Sequence, residues 1–222
     1  MPTLLNIETA TSVCSVAISQ NGRIIAAKES DEHNVHAEKL MVFIEECLKT
    51  AGITLKQIDA IAIGTGPGSY TGLRIGTSTA KGLCYGLSKP LIAVSTLKAM
   101  AKSIQHSDLL CPMIDARRME VYTALYDSSG KELLQVHARI MDENSFSEYL
   151  SNNSIAFFGD GMPKIKTLFA SYKNAFFIDD IRASAKNLSP LAEEAYTKSD
   201  FADLAYYEPF YLKEFVAKKT CY

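Results

Sequence analysis

Apolar residues along the first thirty positions come in short, β-branched runs, and the spacing then changes to steps of three and four. Thr3 to Glu8 and Val13 to Gln20 read as strands, and Asn21-Gly22 is a two-residue turn leading into a third strand, Arg23 to Glu29. From about His33 to Ala51 the apolar positions Ala37, Leu40, Met41, Ile44, Cys47, Leu48 and Ala51 lie on one helical face, opposite Glu38, Lys39, Glu45, Glu46 and Lys49. Ile58 to Ile63 is a buried strand, GTGPGSYTG a turn, and about Gly72 to Leu87 a second helix. Pro90 to Val94 is another strand, and a helix follows it through Lys102.

The second half repeats this order. Strands are expected over Leu109 to Asp115, Glu120 to Tyr126 and Leu133 to Ile140, with a turn at Asp127 to Gly130 and a helix near Asn144 to Leu150. Ile155 to Phe158 then runs into a second glycine turn, GDGMP. Two rounds of three strands, helix, strand and helix predict an α/β protein of two similar lobes, each a mixed sheet flanked by helices, facing each other across a cleft between the glycine turns. The lobes are expected at residues 1–104 and 105–222.

Charge and composition narrow the functional classes. In 222 residues, 47% of them hydrophobic, 23 Lys and Arg stand against 25 Asp and Glu, so the net charge of −2 gives no general attraction to nucleic acid. The cysteines at 14, 47, 84, 111 and 221 are odd in number and form no C-x-x-C pair, which suggests neither a disulfide framework nor a thiolate metal site. A reducing cytoplasm fits best. The opening stretch has no basic leader and contains Glu8, and no apolar run reaches about 18 residues, so neither a signal peptide nor a membrane span is expected.

Candidate chemistry concentrates in the turns. In GTGPGSYTGLRIG the glycines permit close backbone approach, and free amides at the start of a helix suit an anion. That makes Gly66, Gly68 and Ser69 anion- or nucleotide-proximal candidates, together with Glu8 and Thr9 after the first strand and Gly159 and Gly161 in the second lobe. Structural need explains such glycines equally well. The motif departs from G-x-G-x-x-G and from the P-loop, and Ser69 is not in a G-x-S-x-G elbow. His33 and His36 are the only close histidine pair, better read as polar surface or capping groups than as metal ligands. No partner is evident for His106 or His137. Asp115, Arg117, Arg118 and Glu120 form a charged cluster between strands, either a solvated turn or a contact to a partner or RNA. No catalytic residue and no metal ligand set stands out.

Taken together, LLNIETATSVCSVAI, His36-Ala-Glu-Lys-Leu40, AIGTGPGSYTGLRIGTSTAKGL, PMIDARRMEVYTALY, FFGDGMP and EPFYLKEF resemble the TsaB family of tRNA threonylcarbamoyladenosine biosynthesis proteins, in the actin, sugar kinase and Hsp70 superfamily. The resemblance covers nearly the whole chain and implies two actin-like lobes. It implies a non-catalytic subunit that binds and activates the catalytic sister TsaD, alongside the ATPase TsaE, with tRNA reached through the complex. It also implies no tightly bound cofactor, with ATP or ADP only in the complex, and a homodimer when the chain is alone. TsaD holds a metal through two histidines four apart, and the matching positions here are Thr96 and Met100, which supply no imidazole. Where relatives in the superfamily hold magnesium phosphate on an Asp-Gly turn, Glu8 and Thr9 lack the glycine. These departures weigh against the two alternatives, a metalloprotease and a free-standing small-molecule kinase. The docking face implied by the resemblance comprises Ala37, Leu40, Met41 and Ile44 on the first helix and Gly72, Gly76, Ala80 and Leu83 on the second, residues that equally suit an internal core.

Overall fold

β1 (Thr3–Glu8) is buried along its whole length because it is the middle of a five-stranded sheet. β2 (Cys14–Gln20) and β3 (Arg23–Ser30) continue it as an antiparallel meander, turned by Asn21 and Gly22, both with positive φ. β4 (Ala60–Gly64) and β5 (Leu91–Val94) add on the other side in parallel. α1 (His36–Ala51) connects β3 to β4, and α2 (Tyr70–Leu87) connects β4 to β5. The computed structural model describes residues 2–32, 35–104 and 108–213.

The second half builds the same sheet again. β6 (Leu109–Asp115), β7 (Glu120–Asp127) and β8 (Glu132–Ile140) form the antiparallel meander, and β9 (Ile155–Phe158) and β10 (Ala175–Ile178) extend it in parallel. The strand orders, β3-β2-β1-β4-β5 and β8-β7-β6-β9-β10, coincide position by position. The predicted fold class, two actin-like lobes with mixed sheets, is the one found. The helix expected near Asn144 to Leu150 is only the single turn α4 (Ser147–Leu150), because Phe146 adopts a left-handed φ of 62° and drives its ring into the second core. Beyond the second glycine turn the repeat calls for a helix but the spacing assigns it no residues, and the structure has both β10 and α5 (Ala185–Thr197) there.

Both of the remaining helices cross over. α3 (Thr96–Lys102) follows the first sheet but buries Leu97, Met100 and Ala101 against Leu110, Ile114, Tyr126 and Phe158 of the second. α5 follows the second sheet, is capped by the Ser184 hydroxyl, and buries Leu188 and Ala192 against Leu4, Ala60, Ala62 and Ile92 of the first. On the opposite face of that sheet, Leu5, Ile7, Ile61 and Ile63 pack with Leu40, Ile44, Ala80 and Cys84 of α1 and α2. Fully burying one such aliphatic side chain is worth roughly 1.5–3 kcal/mol, so each sheet depends on a helix contributed by the other half of the chain.

Candidate functional site

The end of β1 turns inward. Glu8 is fully buried: its Oε1 accepts the Ala10 N–H at 2.8 Å, and its Oε2 accepts the Thr96 hydroxyl at 2.9 Å. Burial raises its pKa, opposed by the hydrogen bonds from the Ala10 amide, the Thr96 hydroxyl and the Thr9 amide. Thr96 Oγ1 also accepts the Gly66 N–H at 3.1 Å, so one hydroxyl joins the strand, the glycine turn and α3. Gly64 is glycine because a Cβ there would fall on the Glu8 carboxylate.

Several amides of the first glycine turn already have acceptors within the chain. Thr65 donates to Val94 O at 2.8 Å, Gly66 to Thr96, Ser69 to Ala10 O at 2.6 Å, and Gly72 to the capping Ser69 hydroxyl at 3.3 Å. The glycines serve close approach. A Cβ on Gly68 would strike Ala10 O, one on Gly72 would strike Thr9 O, and one on Gly76 the Thr9 hydroxyl. Gly159 (φ 101°) does the same in the second lobe against Met113 O, with the Met100 methyl beside it, and Gly161 donates to Met113 O at 3.1 Å. Glu8, Thr9, Gly66, Gly68 and Ser69 therefore lie in a closely packed first turn, whereas Gly159, packed on Met113 O, also borders the space between the lobes.

Beside these turns a cleft of about 390 Å³ runs between the lobes. Its walls carry Asp31, Asp160, Asp179 and Asp180 against Arg182, which pairs with Asp31 at 2.6 Å. A wall of this charge repels phosphates.

Thr96 and Met100 are both 1% exposed, the first holding Glu8 and Gly66 and the second packing on Gly159. Among the described residues no group of three His, Cys, Asp or Glu side chains could hold a metal. His36 is buried, not a surface or capping group as expected. Burial lowers its pKa against the raising effect of the Val13 and Thr11 carbonyls, and its Nε2 has no hydrogen-bond partner. His33 and His106 lie outside the described residues. The thiols of Cys14 and Cys47 are pushed up to about 11, and those of Cys84 and Cys111 to about 12, by burial, so they are inert.

The docking stripe needs correction as well. Leu40, Ile44, Gly72, Gly76 and Ala80 are buried against the chain's own first sheet. Ala37 and Met41 are exposed and Leu83 half-buried. The outward face also carries residues the periodicity did not single out: Val42 and Tyr85 are 48% and 84% exposed, and Gly82 and Gly86 face open space. In the second lobe Asp115, Arg117 and Arg118 sit together in the exposed β6–β7 hairpin, where Lys164 pairs with Asp115 at 2.5 Å.

Two duplicated lobes exchanging one helix each make this an actin-like protein. The activator of 2-hydroxyisocaproyl-CoA dehydratase from Clostridium difficile, solved with bound ADPNP, shares the fold with a TM-score of 0.52 at 10% identity, over 89% of this chain and 97% of its own. YeaZ from Pseudomonas aeruginosa superposes with a TM-score of 0.77 at 28% identity, covering 96% of this chain and all of that one. A sequence model described as "TsaD: tRNA N6-adenosine threonylcarbamoyltransferase" matches residues 26–220. The tRNA threonylcarbamoyladenosine biosynthesis protein TsaB of Haemophilus influenzae is 31% identical over 98% of this chain and 96% of its own length, and the chain belongs to the TsaB family.

Proposed function

We propose that this chain acts in tRNA threonylcarbamoyladenosine synthesis as a non-catalytic subunit that binds and activates a TsaD-like transferase. The supporting observation is the closely packed first turn, in which a buried glutamate and the chain's own acceptors take the Ala10, Thr65, Gly66, Ser69 and Gly72 amides, leaving fewer to cradle a phosphate. A chain built this way binds no nucleotide by itself, and ATP or ADP enters only with the complex. The partner surface is the outward face of α1 and α2, with Ala37, Met41, Val42 and Tyr85 exposed and Gly82 and Gly86 allowing close approach. The same face pairs two copies of the chain when the transferase is absent. A TsaE-like ATPase completes the assembly, and tRNA is reached through it.

The test is threonylcarbamoyl transfer to tRNA by the purified catalytic sister, supplied with ATP, the ATPase and threonylcarbamoyl-adenylate, with and without this chain. Transfer that requires the chain, while the chain alone is inert, is the expected result. Full transfer without it, or ATP turnover by the chain alone, overturns the reading and favours a small-molecule kinase.

A further inference from the structure

We propose that Arg117 and Arg118, at the tip of the β6–β7 hairpin, are a contact for the phosphodiester backbone of RNA; this rests on the chain being a subunit of a tRNA-modifying enzyme. The two arginines have φ of 71° and 52°, a pair of left-handed conformations that favours glycine and asparagine. The β2–β3 hairpin meets the same demand with Asn21 and Gly22, at φ 52° and 71°. A turn needs no arginine, so strain retained at two adjacent exposed positions points to a use for the side chains.

The nearby charges are arranged to leave those side chains available. Asp115 Oδ1 accepts the Arg117 backbone N–H at 2.5 Å and pairs with Lys164 at 2.5 Å, while Glu120 pairs with Lys213. Each carboxylate of the hairpin is thus matched by a lysine from elsewhere in the chain. Neither guanidinium has an ion pair among the described residues. Two adjacent planar forks suit phosphate oxygens, which they can grip in a bidentate fashion. The exposed apolar residues beside them, Met119 at 42% and Ile140 at 73%, are too few for the core of a protein interface. With a net charge of −2, the chain does not recruit RNA strongly, so the contact adds to a grip held mainly by the catalytic subunit.

The test replaces both residues by glycine, Arg117→Gly with Arg118→Gly, which relieves the backbone strain and removes the charge. A purely structural turn predicts no functional change and a thermal midpoint equal to or above that of the wild type. The proposal predicts that same unchanged or raised midpoint together with a several-fold higher KM for tRNA in the reconstituted transferase, and an unchanged kcat. The dependence of log KM on log salt should flatten by about 2, one phosphate being lost per arginine. Arg117→Lys with Arg118→Lys should keep most of the salt dependence. Unchanged KM and salt dependence would overturn the proposal, and so would a loss traced to weaker assembly of the subunits, which would assign the arginines to a protein partner. A wild-type chain that fails to stimulate transfer sinks the subunit reading instead. In that case retention of labelled tRNA by the isolated chain at low salt, weakened by the glycine pair or indifferent to it, decides this proposal.

Discussion

At the residue scale the decisive group is Glu8. A carboxylate at the end of a strand ordinarily reaches water, so its complete burial could not be read from the sequence; its partner Thr96 lies 88 residues away. Because burial raises its pKa above the ordinary 4.5, the folded state holds the proton more tightly than the unfolded chain. The stabilisation this brings is fully present below the unfolded value and is lost as the pH rises through the folded one. Glu8→Gln keeps an oxygen for the Ala10 amide and carries no charge to bury. The thermal midpoint of the wild type should therefore fall, relative to Glu8→Gln, as the pH rises from acidic toward neutral. Parallel melting curves over that range would disprove the shift.

At the element scale α2 shows how far periodicity reaches. Its existence and extent follow from the spacing, but small residues four apart look alike whether they meet a partner or the chain's own sheet, and here Gly72 and Gly76 meet Thr9. The two faces of the helix should respond in opposite ways. Gly76→Val places a side chain on the Thr9 hydroxyl and should cost about 1–3 kcal/mol in chemical denaturation. Gly82→Ala, where nothing lies within reach, should instead stabilise by about 0.5–1 kcal/mol. Equal effects from the two would mean that the buried and open faces are misassigned. The same ambiguity concealed the last elements. β10 is a four-residue apolar run, and α5 carries Pro190, Asn187 and Ser189 within its span. Its signals were nonetheless present in the Ser184 cap and in Leu188, Leu191, Ala192 and Ala195 at helical steps.

At the scale of the whole molecule the duplication was legible, since the two sheets have one topology, but the exchange of helices was not, because it depends on contacts between halves of the chain. The start of α5 is fixed to the first sheet through Glu29. Lys186 lies 2.8 Å from that carboxylate, Ser15 donates to it at 2.9 Å, Ser184 donates as well, and the Ala185 N–H is held by Ser15 at 2.9 Å. Partial burial alone would raise the Glu29 pKa, but the hydrogen bonds from Lys186, Ser184 and Ser15 outweigh it and hold the carboxyl below 4.5. With a depressed folded value, the stabilisation is present above the unfolded pKa and is lost as the pH falls through the folded one. The side chain is 31% exposed, so solvent screens part of the effect. Glu29→Gln should lower the thermal midpoint at neutral pH, and the two proteins should converge in acid. Because the attachment is local, amide exchange should quicken in α5 and the adjoining part of β2 and β3, and stay unchanged in β6 to β8. Faster exchange throughout the second sheet would mean instead that Glu29 holds the lobes together as a single cooperative unit.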